Sequence, residues 1–213
     1  MSLEFTEAEN QALLSVDYKT LWNEQNYQSQ VLLCYRILES AKVPKDAIQR
    51  MKDLLPPRPL LGEHDIMLSE YANYCCDGAA FYVTGLDTET RGLEGGSEAI
   101  SVFPWGWYTN HRQITEKMVQ IDHPRDSRMS LVCIRQYPDV YEIVTIHPNG
   151  SFVRHKNDFH FAVDLGIDQE RRLVFQKPGT LPLPTISYLE TALKPYPDYD
   201  VSFWSWPKDI AKE

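Results

Sequence analysis

The chain has no apolar run that approaches the roughly 20 consecutive residues needed to cross a bilayer. Its first ten residues, MSLEFTEAEN, have no basic region and no apolar stretch, which argues against a secretory signal peptide there. These absences predict a soluble protein, and a cytoplasmic location is expected. The chain also lacks a stripe of lysine and arginine, which tight binding to nucleic-acid phosphates requires. We therefore expect neither membrane nor nucleic acid among its partners.

Cysteine is scarce, and the four residues form no CxxC pair and no zinc-like spacing: Cys34, Cys75, Cys76 and Cys133. Reduced, mostly buried thiols are the first interpretation. A nucleophilic Cys75 or Cys76 is the alternative, because the small residues that follow would let backbone amides approach a reacting carbonyl. The neighbouring carboxylates of Glu70 and Asp77 oppose the low thiol pKa that such a nucleophile needs.

Motifs for hydrolysis and for phosphate binding are absent as well. No serine lies in the strand–Gly-x-Ser-x-Gly–helix context of a hydrolase nucleophile. The glycines at 92, 95 and 96 lie among carboxylates, which repel a phosphate instead of binding it. The sequence contains no internal repeat, and we expect no cofactor.

Acidic side chains, in contrast, are concentrated in one part of the chain. Residues 61–100 carry eight of them and a single basic residue, Arg91. The net charge of this stretch is −7, against −9 for the whole chain. Carboxylates held close together set up a local field that selects basic partners.

A Gly-rich loop is predicted at about 85–98, inside this acidic stretch. Four carboxylates lie in or beside it: Asp87, Glu89, Glu94 and Glu98. The chain then continues into an aromatic segment that contains Trp105, Trp107 and Tyr108. A second Trp-x-Trp pair, Trp204 and Trp206, lies near the C-terminus. Such pairs either form a platform for a sugar, peptide or protein, or close the ends of the core.

Hydrophobic patterning predicts an α+β fold, with N-terminal helices packed on a mainly antiparallel C-terminal sheet in a single domain over 1–213. The helical part covers about 1–60 and the sheet part about 99–213. Thr6 and Glu9 form a capping pattern, a helix is predicted over 26–40, and Pro44 suits the first turn of a third helix. Residues 81–83 allow a strand beside a possible helix at 65–76, and a helix is predicted over about 185–193.

Alternating apolar residues from 131 onward predict a meander of consecutive antiparallel strands. Asn149-Gly150 predicts a two-residue hairpin turn that sets Val144 opposite His155. A second two-residue turn at 157–158 would set His155 opposite His160. In this register Phe161 and Val163 share one face of the sheet and Ala162 lies on the other. Both faces are then substantially apolar, and another element could cover the second.

The same register brings Glu142 near the two imidazoles. Two histidines and one carboxylate are a known ligand set for zinc and non-haem iron, so Glu142, His155 and His160 are the candidate metal or acid–base residues. A slip of one residue in either turn would separate them, because every side chain would change face. Two partly exposed histidines with no ligand are the alternative interpretation.

Two classes of function follow from these features. The first is a non-catalytic acidic protein that engages a basic protein partner, as toxin-inhibiting immunity proteins do. Its binding residues would be Asp87, Glu89, Glu94, Glu98, Trp105, Trp107 and Tyr108. The second is a small hydrolase or metal-dependent enzyme that uses His155, His160 and Glu142, or Cys75 or Cys76. Convergence of a histidine, a cysteine and a carboxylate in one pocket would favour the enzyme.

Overall fold

The computed structural model describes residues 4–14, 24–55, 76–86, 112, 114–122, 124, 129–136, 140–145, 151–156, 159–168, 171–177, 184–194 and 199–207. The helices are α1 (Glu7–Leu14), α2 (Glu24–Ser40), α3 (Lys45–Asp53), α4 (Cys76–Thr84) and α5 (Leu189–Leu193). The strands are β1 (Val119–Ile121), β2 (Ser130–Gln136), β3 (Val140–Thr145), β4 (Ser151–Lys156), β5 (Phe159–Asp168), β6 (Arg171–Gln176), β7 (Thr185–Tyr188) and β8 (Tyr199–Ser205). Within these ranges no helix combines the length and the apolarity that a membrane crossing demands.

The N-terminal helices begin where the sequence predicts them. Glu9 Oε2 accepts a hydrogen bond from the Thr6 N–H at 2.8 Å, and Thr6 Oγ1 accepts one from the Glu9 N–H at 3.3 Å. This reciprocal pair is the predicted capping box at the start of α1. Pro44 occupies the N-cap position of α3 with an extended backbone, immediately before the first helical residue. The helices of the first 55 residues are confirmed.

Six strands form one antiparallel sheet in the order β1-β8-β2-β5-β6-β7. The last strand in the chain, β8, therefore lies inside the sheet, between β1 and β2. Helices come first in the sequence and most strands follow, which confirms the predicted α+β class.

The predicted meander is wrong. The central strand β5 pairs with β2 on one side and with β6 on the other, so β4 is not its neighbour in the sheet. The strands β3 and β4 pair with each other in a separate two-stranded sheet. Alternating hydrophobicity identifies a strand, but it carries no information about which strand lies beside it.

Two local predictions are also corrected. Residues 81–83, for which a strand was one possibility, lie in helix α4. Residues 185–188 form strand β7 before the short helix α5, whereas a helix was expected over the whole of 185–193. Pairing with β6 explains this difference, because Val174 lies opposite Ser187 and Phe175 opposite Ile186. Hydrogen bonding to a neighbouring strand overrides a weak local preference for helix.

The first face of the sheet, here the helical face, packs against α1–α4. It contributes Leu131, Cys133, Phe161, Val163, Leu173, Phe175, Ile186 and Tyr188 to the main core. Helix residues such as Leu13, Leu38, Met51, Phe81 and Val83 complete this core. The rings of Phe81 on α4 and Phe161 on β5 meet edge to face, with their centroids 5.3 Å apart.

The opposite face, here the α5 face, has a smaller apolar patch. Val132, Ile134, Ala162 and Val174 pack there with Leu189, Ala192 and Leu193 of α5. The predicted separation of Phe161 and Val163 from Ala162 is therefore confirmed, and the element that covers the second patch is α5.

Candidate functional site

Helix α4 ends in a hydrogen-bonded turn at Gly85 and Leu86, and the acidic segment, here the residues from Asp87 to Glu98, follows it in the sequence. Gly85 has a positive φ of 72°, a conformation that glycine adopts without a steric penalty. Its N–H bonds to Tyr82 O at 3.1 Å, and the Leu86 N–H bonds to Phe81 O at 2.9 Å. This pair of bonds is a Schellman motif, with Leu86 and Phe81 both buried as its apolar contact. The chain therefore leaves α4 in a fixed direction.

Three side chains from distant parts of the chain donate to backbone carbonyls in the last turn of this helix or just beyond it. Arg50 Nε bonds to Val83 O at 2.9 Å, and Trp206 Nε1 bonds to Thr84 O at 2.9 Å. Lys117 Nζ bonds to Leu86 O at 3.1 Å. The C-terminal end of a helix has unsatisfied carbonyls and a partial negative charge, which donors and cations stabilise. We call these groups, with Gly85 and Leu86, the α4 anchor.

The α4 anchor also includes a residue from beyond the predicted loop, Lys117. Leu86 and Ile114 are both buried in the main core. Lys117 follows Ile114 on the same helical turn, 114–117, and its ammonium group bonds to Leu86. The stretch between 86 and 114 therefore has a core residue on each side of it, and one hydrogen bond joins Lys117, three residues after Ile114, to Leu86. This stretch contains the predicted acidic loop and the first tryptophan pair.

The predicted partner-binding residues themselves lie outside the described residues: Asp87, Glu89, Glu94, Glu98, Trp105, Trp107 and Tyr108. Their role stays a prediction. Acidic and basic side chains are almost equal in number among the described residues, so most of the negative balance of the chain belongs to the other segments.

The second tryptophan pair, Trp204 and Trp206, packs in and against the main core. Trp204 is only 8% exposed, belongs to the main core and donates from Nε1 to Ser202 Oγ at 3.0 Å. Trp206 packs against the same core and donates to the α4 anchor. Of the two interpretations of this pair, closure of the core is therefore the one that fits.

His160, one of the candidate metal ligands, lies in the interior on the α5 face and is 2% exposed. Its Nε2 is 2.8 Å from Gln176 Oε1, an acceptor, so Nε2 carries the proton. Gln176 Nε2 donates to Ser187 Oγ at 2.7 Å, and Ser187 Oγ donates to Tyr188 O at 3.2 Å. Burial lowers the pKa of His160 to about 4, against the opposing effect of Gln176. A neutral imidazole in this network is a structural group that connects β5, β6 and β7.

The register predicted for the candidate metal residues is also wrong. His160 lies opposite Ile134 of β2, and not opposite His155. His155 lies opposite Tyr141, whereas Glu142 lies opposite Arg154. The observed pairing of β3 with β4 is shifted by three residues from the predicted one, which set Val144 and not Tyr141 opposite His155.

The predicted register therefore no longer supports a metal-ligand role for Glu142, His155 and His160. That role stays an untested prediction. Among the residues that the structure describes, no group of three or more His, Cys, Asp or Glu side chains is placed to hold a metal ion. The side chains of Glu142 and His155 lie outside that part.

Cys34 and Cys133 are buried free thiols. Burial raises the pKa of Cys34 to about 12 and also raises the pKa of Cys133, so neither forms a thiolate at neutral pH. Cys76 is half-buried at the first residue of α4. Cys75 lies outside the described residues, and a nucleophilic role for either of this pair stays a prediction.

A buried ion pair on the α5 face escaped the sequence analysis. Asp164 is completely buried, and its Oδ2 accepts from Arg172 Nη1 at 2.6 Å and from Ser130 Oγ at 3.1 Å. Its Oδ1 accepts from the Gly166 N–H at 3.1 Å, across a β-bulge where Gly166 has a φ of 101°. Burial raises the pKa of Asp164, and these three donors oppose that rise.

This cluster connects strands and has no arrangement for acid–base catalysis. Arg172 also donates from Nη2 to Pro124 O at 3.1 Å, which ties a residue before β2 to β6. The Asp164 carboxylate accepts from Ser130, Gly166 and Arg172, and no histidine or thiol among the described side chains bonds to it. The signal in the sequence was an aspartate inside an apolar strand with glycine two residues later, the pattern of a bulge.

Comparison of the chain with protein-family models, with curated proteins and with solved structures gave no match in any of the three.

Proposed function

We propose that this chain is a cytoplasmic, non-catalytic binding protein that engages a basic protein partner. The four carboxylates Asp87, Glu89, Glu94 and Glu98 attract the partner, and the aromatic segment that follows them holds it. Long-range attraction speeds the encounter of the two proteins. A few aromatic side chains that become buried then slow their dissociation.

The observation that carries this proposal is the α4 anchor. A binding segment is most effective when a rigid scaffold presents it at a defined place. Here Leu86, the residue directly before Asp87, is buried in the main core, and Lys117 donates to its carbonyl. Donors from three separate parts of the chain surround the end of α4, so the binding segment starts from a fixed point on the scaffold.

The polar groups of the described core support the same conclusion. His160 and Asp164 are buried and fully engaged in networks that join neighbouring strands. Groups used in this way stabilise a scaffold, whereas a catalytic base must be free to bind a substrate proton.

The test neutralises the four carboxylates together, with Asp87→Asn, Glu89→Gln, Glu94→Gln and Glu98→Gln. The immobilised protein captures its partner from an extract of the source cells, and association is then measured with the purified partner. We expect the association rate at low salt to fall by at least about tenfold, because electrostatic steering speeds association by about 10–1,000-fold. Raising the ionic strength should slow the wild type much more than this variant.

A matched control removes the same charge elsewhere, through Glu7→Gln, Glu39→Gln, Asp122→Asn and Asp200→Asn, four exposed carboxylates on described elements. This control should change the association rate less than about threefold, since exposed charges separated by more than a Debye length are largely screened. Equal effects of the two variants, or a wild-type rate that does not depend on salt, would contradict the proposed binding segment.

A further inference from the structure

The N-terminal residues 4–14, here called the strap, are held on the body of the protein by side chains from β7, α5 and α2. Leu13, near the end of the strap, is completely buried in the main core. The Tyr188 hydroxyl at the end of β7 donates to Asn10 Oδ1 at 3.2 Å. Lys194 Nζ, at the end of α5, donates to the last backbone carbonyl of the strap at 3.2 Å. The strap therefore lies against the edge strand of the sheet.

Arg36 of α2 holds the first part of the strap. Its Nη2 donates to Glu4 O at 3.0 Å and to Glu9 Oε2 at 2.9 Å, and its guanidinium carbon lies 5.5 Å from the centre of the Phe5 ring. One side chain thus contacts a backbone carbonyl, a carboxylate and an aromatic ring of the same segment. The Arg36 side chain is 42% exposed, and contacts of exposed ion pairs are weak, so this clasp is reversible.

The helix inside the strap depends on its docking. Helix α1 has eight residues, and an isolated helix of that length is not stable in water. Within α1 the buried side chain is that of Leu13, near the C-terminal end of the helix. Helix formation and insertion of Leu13 into the core are therefore coupled, and the strap leaves the body in one step.

The body beneath the strap has hydrogen bonds of its own. Strand β7 pairs with β6 at four positions. The backbone of Ile186 on β7 also bonds to the thiol of Cys34 on α2, and Ser187 Oγ donates to Tyr188 O. None of these bonds uses an atom of the strap. Opening of the strap therefore breaks no strand pairing, and a local opening of this kind needs less free energy than global unfolding does.

We propose that the strap is exchangeable: it leaves the body as a unit, and the groove that it vacates binds the strap of a second copy of this chain. The contacts of the strap in place define this occupant, because Leu13 fits the core and Glu9 fits the Arg36 clasp. Exchange of one element between identical chains reuses contacts that already exist, which makes it a low-cost route to a dimer. The inference is independent of the acidic segment.

The test uses a fluorescent peptide with the sequence of residues 4–14 as the probe and the full-length protein as the receptor. Leu13→Ala in the protein weakens its own strap, because a buried leucine is lost from the core. We expect this variant to bind the peptide at least about tenfold more tightly than the wild type does, since the apparent affinity rises with the fraction of open molecules. Fluorescence anisotropy measures the binding.

Two controls match this change. Leu32→Ala removes the same side chain from an exposed position of α2, and it should leave peptide binding as it is in the wild type. A peptide that itself carries Leu13→Ala should bind at least about tenfold more weakly than the unchanged peptide, because it cannot fill the core. Glu9→Gln in the protein weakens the strap at the clasp and leaves the core intact, so it should strengthen peptide binding by about threefold.

Amide hydrogen exchange tests the clasp without any peptide. Arg36→Gln should speed exchange in α1 by about threefold, whereas exchange in β2 and β5 should not change. Arg112→Gln is the matched control, because it breaks an exposed ion pair with Glu116 on another helical turn. This control should leave exchange in α1 unchanged.

The exchangeable strap is overturned if neither Leu13→Ala nor Glu9→Gln binds the peptide more tightly than the wild type does. It is overturned as well if α1 exchanges no faster than the central strands, or if the sheet loses its protection in Leu13→Ala. Each of these last two results would mean that the strap and the sheet unfold together.

Discussion

The two faces of the six-stranded sheet are both buried, but they are built from different chemistry. The helical face presents large apolar side chains from β2, β5, β6 and β7 to four helices. The α5 face has a small apolar patch with a polar network on either side of it. One network contains His160 and Gln176, and the other contains Asp164 and Arg172.

Strand β5 shows how one short sequence serves both faces. Phe161 and Val163 point into the main core, whereas His160, Ala162 and Asp164 alternate with them toward α5. Four helices offer the helical face a wide apolar surface, but α5 has five residues and offers far less. Cross-strand polar networks complete the second face, and this explains why buried polar side chains here are not evidence for catalysis.

The largest expected loss of stability is that of the Phe161→Ala variant, on the helical face. This ring is fully buried and packs edge to face on Phe81, so its removal leaves a cavity that the sheet and the helices cannot close. We expect the free energy of unfolding to fall by about 3–5 kcal/mol. Chemical denaturation monitored by circular dichroism measures this change.

Leu32→Ala is the control for loss of apolar volume, because Leu32 is 48% exposed. The free energy of unfolding should fall by less than about 1 kcal/mol in this variant, since little of the Leu32 side chain leaves water on folding. Similar losses of unfolding free energy in Phe161→Ala and Leu32→Ala would mean that close packing does not distinguish the helical face from the exposed surface.

The second prediction concerns the pH dependence that His160 gives to the α5 face. Its pKa is about 4 in the folded protein and 6.5 in the unfolded chain. Between these values the unfolded chain binds a proton that the folded protein excludes, so stability is complete above pH 6.5 and falls as the pH falls toward 4. Between pH 4 and 6.5 we expect His160 to change the free energy of unfolding by up to about 1.4 kcal/mol per pH unit.

His160→Gln isolates this contribution, because glutamine keeps an amide donor for Gln176 but does not titrate. The raised pKa of Asp164 gives the opposite slope at the acid end, and it is common to both proteins. The difference in unfolding free energy between wild type and variant should therefore shrink as the pH is lowered. A difference that stays constant from neutral pH to pH 4 would mean that His160 is not held neutral.

The smallest expected effect distinguishes two neighbouring serines on the α5 face. Leu131 lies opposite Trp204, which sets Ser130 opposite Ser205 on adjacent strands. Ser130 Oγ donates to Asp164, whereas Ser205 Oγ is buried and has no hydrogen-bond partner among the described residues. Ser130→Ala should lower the free energy of unfolding by about 1–2 kcal/mol, and Ser205→Ala should leave it nearly unchanged or raise it slightly.

Equal losses for the two alanine variants would show that Ser205 has a polar partner of its own. Thermal melts of both variants, recorded beside the wild type, give the comparison directly.

Most of the local structure could be predicted, because it depends on short-range patterns. The capping box of Thr6 and Glu9, the helices of the first 55 residues and several strands after 130 follow from spacing and turn chemistry. The insertion of β8 between β1 and β2 could not be predicted in this way. Pairing joins residues far apart in the chain, and it depends on the free energy of the whole sheet.

The candidate sites show the same difference between short-range patterns and long-range contacts. The acidic stretch and the tryptophan pairs are properties of composition, which a sequence shows directly. The α4 anchor is not, because Arg50, Lys117 and Trp206 reach one helix end from three separate elements. The predicted histidine pair failed for a related reason, since β4 pairs with β3 and β5 pairs with β2 and β6, so His155 and His160 lie on strands that are not neighbours.

The sequence by itself determined the helices of the first 55 residues, several strands after 130, the two apolar faces of β5 and the place where negative charge is concentrated. These depend on side-chain periodicity and charge, which are local properties. Only the tertiary structure decided that His160 is a buried structural group, that Asp164 is paired with Arg172 and that Arg50, Lys117 and Trp206 meet at the end of α4. Burial, ion pairing and loop closure are set by which distant residues meet, and that is decided when the chain folds.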